Sequence, residues 1–164
     1  MAGRSASRIV LPYTLIPSGP TDAFPRQKVM ARPQLQVSLK YKRQSLKFGF
    51  PSIIDSGADH CMFPAQFGER IGIPIREGKV QATSGIGEDT AYFHRVRVLV
   101  EIAGQVYYFH CYAGFMYSLD RIGIGLLGRH GFFELFESIT FKDSASVVEL
   151  IPLKSPESAR RRSY

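Results

Sequence analysis

Alternation of apolar and polar residues dominates the middle of the chain. Leu35, Val37, Leu39 and Tyr41 alternate with Gln36, Ser38, Lys40 and Lys42. A period of two puts one set of side chains on one face, so the pattern predicts a half-buried strand. A polar turn at 42–44 leads to Leu46, Phe48 and Phe50, which predict a second strand and a hairpin. Residues 79–83 and 90–102 predict two more strands, joined by the tip Ser84-Gly85-Ile86-Gly87-Glu88-Asp89. Ala103-Gly104 then turns the chain into a strand at 106–112. Residues 123–127 form a short apolar run between glycines, and 139–142 and 147–153 predict two closing strands. Only two stretches read as helical. Residues 64–71 have Pro64 in the first turn and Gly72 as a stop. Residues 130–136 would bury Phe132, Phe133 and Phe136. A mainly β chain with a turn roughly every 8–12 residues predicts a small barrel or a sandwich.

The two ends differ from this middle. Residues 1–31 hold Pro12, Pro17, Pro20 and Pro25 and the turn Ser18-Gly19-Pro20, which predict an extended arm with one strand at 8–16. The chain divides into this arm at 1–31, a folded domain at 32–153 and a basic tail at 154–164. At 164 residues, with 45% hydrophobic and 21% charged residues, it has the usage of a globular domain able to bury its own core.

Charge adds one distinction. The formal net charge is +7, yet the arm and the tail each carry four basic residues against one acidic, leaving 13 against 12 in the domain. A nucleic-acid domain usually keeps its basic surplus on the folded body, so no nucleic-acid partner is expected, and Arg160–Arg162 read as a solvated tail. No apolar run approaches the ~20 residues of a membrane helix, and no signal-peptide core follows Arg4 and Arg8, so the expectation is a cytoplasmic protein away from membranes. Cys61 and Cys111, the only cysteines, are then expected to be reduced.

The densest polar turn after an apolar run is Ile53-Ile54-Asp55-Ser56-Gly57-Ala58-Asp59. An aspartate just past a buried strand can have its carboxylate held by the backbone N–H groups of the turn. Gly57, without a Cβ, lets another chain come close. Alone this is ordinary turn chemistry. Two further segments change its weight: the hairpin tip Ser84-Gly85-Ile86-Gly87, and Leu126-Leu127-Gly128-Arg129, an apolar pair followed by glycine and arginine.

In this order the three segments resemble the retropepsin-like aspartic proteases, over about residues 33–153, and most closely the single-domain bacterial and archaeal members. The resemblance implies a small closed β-barrel with one or two short helices. It implies that Asp55 is catalytic, with Ser56, Gly57, Ala58 and Asp59 supporting its loop. Ser84, Gly85, Ile86 and Gly87 would be a flap tip over the substrate, and Leu126, Leu127 and Gly128 the signature that crosses behind the catalytic loop. Asp59 and Arg129 match a pair that forms an ion pair beneath the cleft. Cys61-Met62-Phe63-Pro64 followed by a short helix also fits. Ser56 stands where viral members usually have Thr and keeps the hydroxyl. Glu88 and Asp89 make the outgoing limb of the flap acidic, which touches substrate preference more than chemistry.

Such chemistry needs two carboxylates, one acting as base on a water and the other, protonated, polarising the scissile carbonyl. Asp89-Thr90-Ala91 and Asp143-Ser144-Ala145 lack the glycine, so the second Asp55 is expected from an identical subunit across a two-fold axis. Two charges ~3 Å apart at an effective dielectric of ~20 repel by roughly 5 kcal/mol, so the pair would share one proton. The expected partners are a second copy and a peptide or protein substrate, with no cofactor. Residues 1–31 would pack at the interface between copies or be trimmed by self-cleavage. The runner-up is a dimeric binding module that keeps the fold without the chemistry. His60-Cys61 and His110-Cys111 invite a metal reading, but neighbours on a strand point to opposite faces, so no metal site is expected; a Cys61 thiol protease lacks an evident base.

Overall fold

The computed structural model describes residues 7–85 and 87–153. Thirteen strands, one α-helix and four 3-10 turns make up the regular structure of the described residues. The strands are β1 (Ile9–Pro12), β2 (Thr14–Pro17), β3 (Val29–Arg32), β4 (Gln34–Tyr41), β5 (Gln44–Ser45), β6 (Phe50–Ile54), β7 (Met62–Pro64), β8 (Lys79–Gly85), β9 (Gly87–Ile102), β10 (Gln105–Met116), β11 (Gly125–Leu127), β12 (Phe136–Lys142) and β13 (Val147–Pro152); α1 (Ala65–Glu69) follows β7. Among the described residues no helix is long and apolar enough to cross a membrane.

Strands β4, β6, β11, β7, β10 and β9 pair in that order, and β4 also pairs with β9, so six strands close into a barrel. The alternation that predicts β4 decides which face closes inward. Leu35, Val37 and Leu39 are buried, and on β9 so are Val96, Val98, Val100 and Ile102. The register sets Val37 across from Val100 and Leu39 across from Val98, joining two apolar faces at the seam. Phe50, Phe63 and Phe115 fill the interior, with Phe50 and Phe63 edge to face at 5.6 Å. The β9–β10 turn has positive φ at both central residues, Ala103 at 50° and Gly104 at 77°, which matches the right-handed twist of a two-residue hairpin.

Three expectations are corrected. The hairpin after β4 is shorter than the Leu46, Phe48, Phe50 pattern predicts. Only Gln44 and Ser45 form β5; Leu46 N–H donates to Leu39 O (2.9 Å), and the chain leaves the sheet until Phe50 opens β6. Phe48 instead packs edge-on against Phe67. The helix expected at 130–136 is a single 3-10 turn, Phe133–Leu135. Gly131, at φ +108°, lies outside helical conformation, and Phe136 already starts β12. The aromatics there are buried or half-buried, but through a turn. The strand expected at 8–16 is two strands broken at Tyr13, whose N–H donates to Ser146 O (2.7 Å).

Before Pro33 the chain forms three short strands, with a turn that folds β3 back on β2, and it is tied down. β1 pairs antiparallel with β13, which pairs on its other side with β12; β2 pairs with β3. Ile9, Leu11 and Tyr13 pack on the main core, and Arg8 lies 3.5 Å from Glu149. Residues 1–6 and the tail at 154–164 lie outside the described residues. Removing residues 1–13 is expected to cost about 2–4 kcal/mol, the partial burial of three large side chains; the shift in urea midpoint at constant slope measures it.

Candidate active site

The 55–59 loop sits where one strand leaves the barrel wall. β6 ends at buried Ile54, whose N–H donates to Pro33 O (2.8 Å). Asp55 N–H donates to Leu127 O (3.1 Å), so the first residue of the loop is still bonded to the neighbouring strand. The loop then closes on itself. Gly57 N–H donates to Asp55 Oδ1 (2.8 Å), and Ala58 N–H to Asp55 O (3.3 Å). One carboxylate oxygen is thus aimed by the loop's own backbone, as an Asx turn does. Asp55 and Ala58 are half-buried, and Ser56, Gly57 and Asp59 are exposed.

The Leu126-Leu127-Gly128-Arg129 segment holds this loop from behind. β11 pairs parallel with β6, Leu126 opposite Ile53 and Leu127 opposite Ile54, while Leu126 also faces Met62 of β7. The chain that leaves β6 as the loop therefore returns on the far side of β11. Past its end, Arg129 N–H donates to Ala58 O and His130 N–H to Asp59 O, both at 2.8 Å. Gly128 is where the two segments cross: a Cβ there would overlap the His60 carbonyl and sit 2.8 Å from Ala58 O. The glycine is required by that close approach. The Asp59–Arg129 ion pair is absent. Ion pairs among the described residues are Arg8–Glu149, His130–Glu134 and Lys142–Glu149. Arg129 is tied by its backbone to Ala58 and Asp59 to His130, and Asp59 and Arg129 are both exposed.

The third segment is a long hairpin. β8 and β9 pair antiparallel through Ser84 opposite Glu88 to Gly85 opposite Gly87; Ile86 lies outside the described residues. Its base is anchored. Ala91 and Phe93 of β9 are buried with Met116, against Met62 and Leu119. Phe93 also meets the His60 ring edge to face at 5.2 Å. The base of the hairpin thus packs beside β7, the strand that follows the 55–59 loop.

His60 is the residue that sequence reading missed as part of this site. It bridges in parallel to His130, and the two rings lie 5.1 Å apart. Burial holds the His60 imidazole below its ordinary value, His130 adds to this, and Asp59 opposes it. His130 in turn lies 3.5 Å from Glu134, whose other oxygen accepts from Gly131 N–H (3.0 Å). Nothing in local spacing pairs residues 70 apart; only the crossing of the two segments does. The cysteines come together on the inner side. Hydrogen bonding to Cys111 draws the Cys61 thiol down, and the same contact, with burial, pushes Cys111 well up. Cys61 is buried while His110 is exposed, so the four residues of the metal reading are divided between two faces. Among the described residues no three potential metal ligands converge.

Two outcomes follow. Gly128→Ala is expected to cost about 1–3 kcal/mol or more, because a backbone carbonyl cannot move aside as a side chain could; urea denaturation reads it. His60 has a depressed value in the fold, so between that value and 6.5 the unfolded chain binds more protons. The stability linked to it is complete above 6.5 and falls as pH drops through this window. The loss of urea midpoint from about pH 7.5 to about pH 5 should be smaller in His60→Gln than in wild type. An equal loss would contradict the assignment.

Comparison with solved structures addresses the architecture. The chain is similar to a retropepsin-like aspartic protease from Rickettsia conorii, with a TM-score of 0.54 and 14% identity over 88% of this chain and 89% of that one. It is less similar to the EIAV protease complexed with the inhibitor HBY-793, at TM-score 0.37 and 18% identity over 60% of this chain and 82% of that one. No protein-family model and no curated protein matches the chain. With the closed six-strand barrel and its loop-and-crossing arrangement, the chain has the retropepsin-like fold.

Proposed function

We propose that this chain is an aspartic endopeptidase acting as a homodimer, with one Asp55 from each copy. The observation that carries the reading is the Asp55 loop. Its carboxylate is set by Gly57 N–H at the end of β6, and the loop is clasped from behind by residues 127–130. A side chain held this way keeps its geometry without substrate, which is the preorganisation that acid–base chemistry needs.

One chain supplies one such loop, and the reaction uses two carboxyl groups. One, ionised, takes a proton from a water whose oxygen attacks the peptide carbonyl carbon. The other, protonated, gives its proton to the carbonyl oxygen. The tetrahedral diol then collapses: the C–N bond breaks as the nitrogen takes the proton held by the first carboxyl, and a diol hydroxyl returns a proton to the second, so both carboxyls regain their starting state. Exposed Ser56 and Gly57 leave the loop open to its counterpart across a two-fold axis. The β8–β9 hairpin, fixed at its Phe93 base and ending in Gly85 and Gly87, serves as the cover that closes on bound peptide. Asp59 and Arg129, unpaired with each other in the single chain, have their charges available to the second copy or to substrate backbone.

A digest of a peptide library by wild type and Asp55→Asn, with light scattering on both, tests the reading. The variant is expected to fold and associate as wild type does and to lose at least about 10³-fold in kcat/KM. Cleavage that survives the substitution, or turnover by a strict monomer, defeats the proposal. A wild-type dimer that cleaves nothing from about pH 4 to 7 favours a catalytically silent peptide-binding module instead.

A further inference from the structure

The wall made by β4, β9 and β10 has an apolar inner face and an outer face of different character. On β10 the outward residues are Val106, Tyr108, His110 and Tyr112, of which the last three carry rings; Tyr108 is 61% and Tyr112 52% exposed. Alternate residues on a strand recur every ~6.8 Å, so the three rings form an evenly spaced row. Cations flank it. On β9, Arg97 lies across from His110 and Arg95 across from Tyr112. On β4, Lys40 lies across from Arg97. The Arg97 guanidinium sits 5.2 Å from the Tyr108 ring centre, and its Nε donates to His110 Nε2 (3.1 Å). The Lys79 ammonium lies 5.7 Å from the Tyr112 ring centre. Along β4, β10 and residues 90–102 of β9, Glu101 is the sole carboxylate. At the Tyr112 end a cleft of ≈ 220 Å³ is lined by Lys79, Val80, Gln81, Phe93 and Tyr112.

A row of exposed rings with cations beside each is the arrangement that takes flat ligands linked by an anionic backbone. A guanidinium stacked on a ring keeps its N–H edge for phosphate and its outer plane for a base. An acidic peptide would answer the cations and leave the rings unused. We infer that this face binds single-stranded nucleic acid, bases against Tyr108, His110 and Tyr112, phosphates against Arg95, Arg97, Lys40 and Lys79. This departs from the expectation drawn from charge along the chain. The domain's 13 basic and 12 acidic residues nearly cancel in number, yet Lys40, Lys79, Arg95 and Arg97 fall together beside this row. The inference uses no residue of the 55–59 loop, and its ring row lies on β10, outside the hairpin proposed as the cover; only Lys79 is shared with the paired part of that hairpin.

A fluorescein-labelled oligothymidylate of about 12 nucleotides, titrated with the full chain from about 50 to 200 mM salt, tests it by anisotropy. Affinity should fall linearly in logarithm with salt. Arg95→Glu with Arg97→Glu should weaken binding at least about tenfold and lower the salt slope by about two. Tyr108→Ala with Tyr112→Ala should weaken it about tenfold at an unchanged slope. Circular dichroism and light scattering accompany each variant, with Arg97→Gln as the milder change should the double charge reversal not fold. Failure of wild type to bind at low salt overturns the inference. So does wild-type affinity in both double variants, which would place binding on other basic residues. A polyglutamate peptide that binds as tightly as the oligomer would make the face a site for acidic proteins. Loss of self-association in the variants would make it an interface between copies.

Discussion

The parallel pairing of β6 with β11 is the constraint on which the site depends. Strand β11 has three residues, yet it is bonded on one side to the strand that enters the 55–59 loop and on the other to the strand that leaves it. Asp55 N–H, Arg129 N–H and His130 N–H extend that clasp beyond the strands themselves. Parallel pairing joins segments far apart in sequence, so the ordering entropy of more than 70 intervening residues must be recovered elsewhere. The closed barrel recovers it: with β4 sealed to β9, the apolar faces of six strands share one interior.

That division explains what could be read from sequence. Strands with one buried face announce themselves by period two, so β4 and β9 were legible to within a few residues. Closure itself was not: the Val37–Val100 and Leu39–Val98 pairings join residues about 60 apart, and only the resemblance separated a barrel from a sandwich. Local signals failed where tertiary contacts overrode them. Apolar spacing at 130–136 suits a helix, but Gly131 turns the chain at positive φ so that Phe132 and Phe136 point into the barrel end. Phe48 belongs to no strand because its ring finds Phe67 instead.

The candidate site was legible in part, and for the same reason. The Asp55 loop and the Leu126–Gly128 segment are short local signals, and the fold brings them into direct hydrogen-bonded contact. The side-chain pairing of Asp59 with Arg129 was an expectation about long, solvent-facing groups, which backbone proximity does not enforce. His60 could not be assigned a neighbour from spacing, because its contacts with Phe93 and His130 come from two separate parts of the chain. Its environment nevertheless couples protonation to the integrity of the crossing.

Strand β13 is occupied along both edges, by β1 on one side and β12 on the other. Over Val147–Leu150 it is paired on both sides within its own chain, so this stretch cannot template a ladder with another molecule. A second subunit that extends this small sheet must therefore annex it at the outer margin of β1 or of β12. The strand that carries Leu150 into the core is an internal girder, closed to any assembly built by extending this sheet.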